Sequence, residues 1–140
     1  YNLHTKGAKD DTYKPRLDLV LGEFALPLYM VGKVGTFGAN FYTDSGWISV
    51  DNARERYSSA LLRHYFKWKA GEDLDSDSGL PHVAHLAWNA LAVLYFYIID
   101  KKIDPSTVII KYKATYGNMT GVNTEVFALH NKILALTTKR

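Results

Sequence analysis

The sequence predicts an all-α core of about four helices, with a short β element and a further helix appended. Three observations carry that prediction. Apolar residues fill 47% of the 140 positions, enough for the core of a single domain of ordinary size. Two long stretches, residues 53–70 and 82–99, are bounded by helix start and stop signals. β-branched residues with alternating lysines gather only late, in Val108–Tyr116, where they read as a strand.

Taken in order, residues 1–13 are polar and charged with little periodicity and read as a flexible N-terminal segment. Order begins at Lys14-Pro15-Arg16-Leu17-Asp18, where Pro15 presets the backbone and Asp18 suits the positive end of a helix dipole. Residues 17–41 are apolar, with Pro27 and glycines at 22, 32, 35 and 38. They predict two short helices broken near Pro27. The three-residue spacing of Gly32, Gly35 and Gly38 would let another helix approach closely; plain loop glycines are the equal alternative. Residues 40–51 read as a loop. Asp51 or Asn52 is a suitable N-cap for the helix of residues 53–70, and Gly71 is its natural terminator. An acidic loop, Glu72 to Gly79, leads to a helix with Pro81 in its first turn that continues to about Ile99. Gly117-Asn118 marks a turn, and a last helix covers residues 124–136. The division is therefore a helical core at residues 14–100 and a C-terminal extension at 101–140.

Seventeen basic residues against fourteen acidic ones give a net charge of +3. That excess suits a phosphate-bearing ligand and falls short of the basic patch of a duplex binder, so there is no strong nucleic-acid signal. Cysteine is absent, which removes disulfides, zinc–thiolate sites and thiol nucleophiles, and is compatible with a reducing cytoplasm. The polar N-terminus shows no secretory signal. The apolar run of residues 83–99 is interrupted by His85 and Asn89 and is somewhat short of the ~20 residues of a membrane span. It reads as a core helix, with no membrane partner.

The segment from Arg63 to Asn89, RHYFKWKAGEDLDSDSGLPHVAHLAWN, concentrates the chemistry. His82, His85 and Asn89 share one narrow face of an otherwise apolar helix. Burying polar groups without partners costs several kcal/mol, so three on one face need a reason. Imidazoles are common transition-metal ligands; Glu72 and Asp75 offer the oxygen ligands that Mg²⁺ or Mn²⁺ take. His82, His85, Glu72 and Asp75 are thus the candidate metal ligands, with Glu72 and Asp75 doubling as catalytic carboxylates. His64 and Asn89 are candidates for orienting them. Arg56, Ser59, Arg63 and Lys67 fall within roughly 80° of helix surface. Arg63 and Lys67, with Lys14 and Arg16, are the candidate phosphate-binding residues; a solvated charged stripe is the plainer alternative. Trp47 is the best aromatic platform for a base. Signatures of a P-loop, HExxH, GxSxG and GxGxxG are absent.

KPRLDLV at Lys14–Val20, TFGANFY at Thr36–Tyr42 with Trp47 following, and LLRHYFKWKAGEDLDSDSGLPHVAHLAWNAL at Leu61–Leu91 resemble the phage dATP/dGTP diphosphohydrolase N-terminal family. That family is related in outline to the MazG-like all-α nucleotide pyrophosphohydrolases. The resemblance covers residues 14–98. It implies a MazG-like helical core and a metal-dependent hydrolase that splits a deoxynucleoside triphosphate into monophosphate and pyrophosphate. Such an enzyme would adjust the phage nucleotide pool in the cytoplasm of an infected bacterial cell. By the same analogy it implies a homodimer. The MazG-like EExxE…ExxD acid pattern is missing here; Arg63/His64 and His82/His85/Asn89 occupy the corresponding helices. Two readings stay open. Either the site is rebuilt from histidines and loop acids, or the chain is a non-catalytic phage protein that binds a nucleotide or a host protein.

Overall fold

The computed structural model describes residues 7–12, 14–111, 132–133 and 135–136. Among the described residues of the first 107 positions the α-helices are, in order, α1 (Asp18–Leu21), α2 (Ala25–Phe41), α3 (Ala53–Lys69) and α4 (His82–Asp100). Short 3₁₀ turns lie at Gly46–Ser49 and Pro105–Thr107. No strand occurs among the described residues; a single isolated bridge joins Leu74 to Pro81. The all-α class therefore stands.

Two compact units divide the chain, Tyr1–Thr107 and Val108–Arg140. In the second, residues 108–111 have no regular structure, and residues 132, 133, 135 and 136 are helical. The expected strand at Val108–Tyr116 is thus missing from its first four residues. Its remainder, and most of the expected last helix, lie outside the described residues.

Local signals explain the elements of the first unit. The expected break at Pro27 is not there. α2 runs through it, because Pro27 is the third residue of the helix, where a backbone N–H would have no intrahelical partner. The chain breaks earlier, at residues 22–24, between α1 and α2. Asn52 does precede α3, but in the left-handed region (φ 52°) and without a side-chain capping bond. α3 ends as its sequence predicts. Gly71 adopts φ +101°, its N–H donates to the Trp68 carbonyl, and the Glu72 N–H donates to the Lys67 carbonyl. This is the Schellman arrangement, which only a residue at ease with positive φ closes cheaply.

α3 and α4 form an antiparallel hairpin. Their contacts run in opposite chain order: His64 meets His82, Tyr57 meets Trp88 and Phe96, and Arg54 meets Asp100. α2 packs against α4 in the same opposed sense, with Gly35 beside Trp88 and Phe37 beside His85. The buried apolar residues are small, namely Val34, Ala53, Ala84 and Ala92, so the helices approach one another closely. The bulk at one end of the hairpin is aromatic. Trp47, from the 3₁₀ turn, meets Tyr57, Trp88, Tyr95 and Phe96 edge to face. By length and composition α4 could cross a membrane. Three of its buried residues are nevertheless polar, His82, His85 and Asn89, which is the pattern of a helix packed for a site.

Candidate active site

The site lies where α3 ends and α4 begins, and the connecting loop builds its third wall. Between Leu74 and Pro81 the loop folds back on itself. The Asp75 N–H donates to the Leu80 carbonyl and the Gly79 N–H to the Asp75 carbonyl. Gly79 takes φ +71° to make that turn. The Asp75 carboxylate in turn accepts from the Ser78 backbone N–H at 2.9 Å, a local bond that Asp readily makes to a turn N–H. The His82 N–H donates to the Asp73 carbonyl, which locks the start of α4 to the loop.

Three imidazoles gather inside this frame. His82 is fully buried and His85 nearly so. The Nδ1 atoms of His64 and His82 stand 2.8 Å apart. The His64 and His85 rings stack with centroids 4.5 Å apart and planes within 8°. Ser78 Oγ lies 2.6 Å from His85 Nε2 and accepts from the Leu80 N–H at 3.1 Å. The hydroxyl thus ties His85 to the loop. On the far side of His82, Glu72 Oε2 is 3.4 Å from Nε2. That spacing suits an ion pair but lacks hydrogen-bond geometry, so Nε2 is a buried polar atom without a hydrogen bond.

Burial favours the neutral form of His64 and His85. It is the largest cause lowering His64, to about 4, with His85 and His82 adding to the effect. Burial also lowers His85 from its ordinary value, against an opposing pull from Asp75. Burial would raise Asp75, but its bonds to Ser78, then the charges of His85 and His64, hold the carboxylate below its usual value. At neutral pH His64 and His85 are therefore neutral imidazoles beside an ionised Asp75 carboxylate, the charge state from which such groups bind metals.

His64, Asp75 and His82 each bring one donor atom within 4.8 Å of the others, a grouping able to hold a metal ion. The sequence-derived ligand set was His82, His85, Glu72 and Asp75. The structure brings all four to the same end, with His64 in the inner group and Glu72 and His85 flanking it. Asn89 is buried and donates through Nδ2 to the His85 carbonyl at 2.8 Å, one turn back on α4.

His85 and Asn89 also border a cleft of about 1230 Å³ between α2, the Gly46–Ser49 turn and the hairpin. Arg56, Ser59, Ala60 and Arg63 line it from one face of α3. Small side chains separate the two arginines, whose Cα atoms are ~10 Å apart along the helix by its rise. Lys14, Arg16 and Lys67 do not line it. Arg16 is exposed and paired with Asp18 at 2.8 Å; Lys67 instead acts on His64 through its charge. The glycine spacing has a different outcome from close helix approach. Gly32 and Gly38 face open space and line the cleft, and only Gly35 meets a neighbour, Trp88, at ordinary contact distance. Trp47 lines the cleft too, but its ring is engaged by four other aromatic residues. Sequence reasoning passed over Ser78 as a site residue. The signal was available in Asp75-x-x-Ser78, a spacing suited to a carboxylate accepting a turn N–H.

The sequence profile of a family described as dATP/dGTP diphosphohydrolase, N-terminal, matches residues 4–106. No curated protein and no solved structure matches the chain. The match covers most of the chain, including every helix of the first unit, and the protein belongs to this family.

Proposed function

We propose that this family member hydrolyses a deoxynucleoside triphosphate, dATP or dGTP, to monophosphate and pyrophosphate, using a divalent ion held at the histidine–carboxylate end of the hairpin. The observation that carries the reading is the convergence of His64, His82 and Asp75 beside a cleft whose arginines can receive phosphates. The donor set fits an ion on two grounds. Burial favours the neutral form of His64, and the Nδ1 atoms of His64 and His82 already lie side by side at 2.8 Å.

When bound, the ion supplies Lewis acidity and a lowered pKa for water. The chain supplies the rest. Arg63 and Arg56 neutralise and orient the phosphates, since guanidinium groups match phosphate oxygens bidentately. Asn89 fixes His85 through the helix backbone, and Ser78 ties His85 to the Asp75 loop. Water attacks the α-phosphorus, the bond to the β-bridging oxygen breaks, and pyrophosphate leaves. The proton of the water passes to the carboxylate–imidazole cluster that includes Glu72 and Asp75. Leu62 and Phe66 on α3, with Leu91 and Leu94 on α4, are exposed, which supports a second copy of the chain as their cover. A role in a phage nucleotide pool, in the cytoplasm of the host cell, follows from this reading.

The test is direct. Purified protein is incubated with each deoxynucleoside triphosphate and a divalent ion, and released pyrophosphate is measured. Turnover of dATP or dGTP, abolished by chelator, is expected. Nucleotide binding with no pyrophosphate from any substrate would select the binding protein instead, the reading favoured by the missing EExxE pattern.

A further inference from the structure

The ligand atoms at the hairpin end narrow the ion. We propose that His64 Nδ1, His82 Nδ1 and the Asp75 carboxylate form a nitrogen-rich coordination site that takes a first-row transition ion (Mn²⁺, Co²⁺ or Zn²⁺) in preference to Mg²⁺. The inference rests on the divalent-ion part of the proposed function and concerns the atoms that bind it.

Four observations converge on it. The two Nδ1 atoms face each other at 2.8 Å. In the metal-free protein one Nδ1 donates its proton to the other; an ion held by both would take the place of that proton, with the ring proton moving to Nε2 and the nitrogens parting slightly. The Asp75 carboxylate completes the group within 4.8 Å. Its Oδ2 accepts from the Ser78 N–H, which holds the carboxylate in place. The third observation is at His82. If Nδ1 binds the ion, the ring proton sits on Nε2, the buried nitrogen that lacks a hydrogen bond. The carboxylate 3.4 Å away is Glu72. A carboxylate behind the distal nitrogen of a metal-bound histidine is a recurrent way to fix its tautomer and raise its basicity. Glu72 is therefore a positioning residue for His82. Fourth, the stacked His85 ring holds the His64 plane, so both inner imidazoles are oriented from outside. Three protein ligands is the count of sites that keep positions open for water and substrate. Two imidazoles among three ligands disfavour Mg²⁺, which takes oxygen ligands and keeps its waters, and favour later first-row ions.

Chelator-treated full chain is titrated with Co²⁺ while its visible absorption is recorded, and calorimetric titrations with Mg²⁺, Mn²⁺ and Zn²⁺ run in parallel. One Co²⁺ per chain is expected, with a nitrogen-ligand spectrum and an affinity at least about 100-fold above that for Mg²⁺. His64→Ala, at the half-buried ring, should cut Co²⁺ affinity at least tenfold and shift the spectrum. Glu72→Gln should weaken binding by roughly 10–100-fold with the spectrum largely retained. Circular dichroism of each variant confirms the fold. Mg²⁺ binding as tightly as Co²⁺, or a Co²⁺ spectrum unchanged by His64→Ala, overturns the assignment. Pyrophosphate release supported by Mg²⁺ and insensitive to His64→Ala would sink this inference and leave the hydrolase reading standing. Histidine-dependent Co²⁺ binding with no turnover under any ion would do the reverse.

Discussion

At one end of the α3–α4 hairpin, Trp47, Tyr57, Trp88 and Phe96 pack ring against ring; at the other, His64, His82, His85 and Asp75 occupy the same structural position between the helices. The aromatic end gains from apolar burial and edge-to-face contact. The polar end desolvates a carboxylate and several imidazoles, which costs free energy that their mutual contacts repay only in part. One end holds the hairpin together, and the other is tolerated because of what it can bind. A fold built for stability alone would carry leucines at both ends.

Several experiments would break or sharpen that contrast. Trp88→Ala should be the most damaging to the fold, costing about 3 kcal/mol, the low end for a large aromatic residue that is only half-buried. Thermal unfolding should show Tm lower by roughly 10 °C. His64→Leu should lower the Tm of chelated protein by less than half as much as Trp88→Ala, because apolar packing offsets part of the cost of leaving Nδ1 of buried His82 without its 2.8 Å partner. An equal loss from both variants would erase the difference between the two ends.

Asp75→Asn is expected to reduce kcat by about 100-fold, equivalent to ~2.7 kcal/mol, in the pyrophosphate assay. Its effect on Tm should be far smaller than that of Trp88→Ala. A variant that unfolds instead would recast Asp75 as a structural residue.

Acid should weaken the polar end selectively. His64 has a folded value of about 4 against an ordinary 6.5, and His85 is shifted the same way. Between those pH values the unfolded chain binds more protons than the folded one, so stability is full above pH 6.5 and declines as the pH falls toward 4. Asp75, held below 3.8, adds a further loss under that value. Following Tm of metal-free protein across this range tests the sign. His64→Leu should flatten the upper part of the curve, and a wild-type curve already flat there would contradict the burial of the histidines.

A modest, purely conformational effect is expected at the loop. Gly79→Ala should cost about 1 kcal/mol by forcing a Cβ into positive φ. Nothing lies within 4 Å of the built Cβ, so the loss is conformational and should show in denaturant unfolding. A larger loss would mean that the loop geometry carries more of the site than its hydrogen bonds suggest.

Much of this architecture was legible because it is local. The end of α3 followed from Gly71, where backbone preference acts within a few residues; Pro81, expected in the first turn of α4, instead stands just before it with an extended backbone, and the helix begins at His82. The shared face of His82, His85 and Asn89 followed from helical period alone. Where the reading failed, a longer-range or positional fact decided. Pro27 was tolerated because α2 starts only two residues before it. The residues of the expected strand that are described, Val108–Lys111, form none, since β-branched composition cannot supply a pairing partner.

By itself, then, the sequence determined which residue types stand at the hairpin end and which helix faces present them. It could not say that His64 would enter the inner group while Glu72 stood behind His82, or that Arg56 and Arg63, not Lys14 and Arg16, would line the cleft. Those outcomes depend on how α3, α4 and their connecting loop are set against one another in space. Side chains from separate segments share a site only when packing brings their atoms within a few ångströms, and no pattern along one helix encodes that distance.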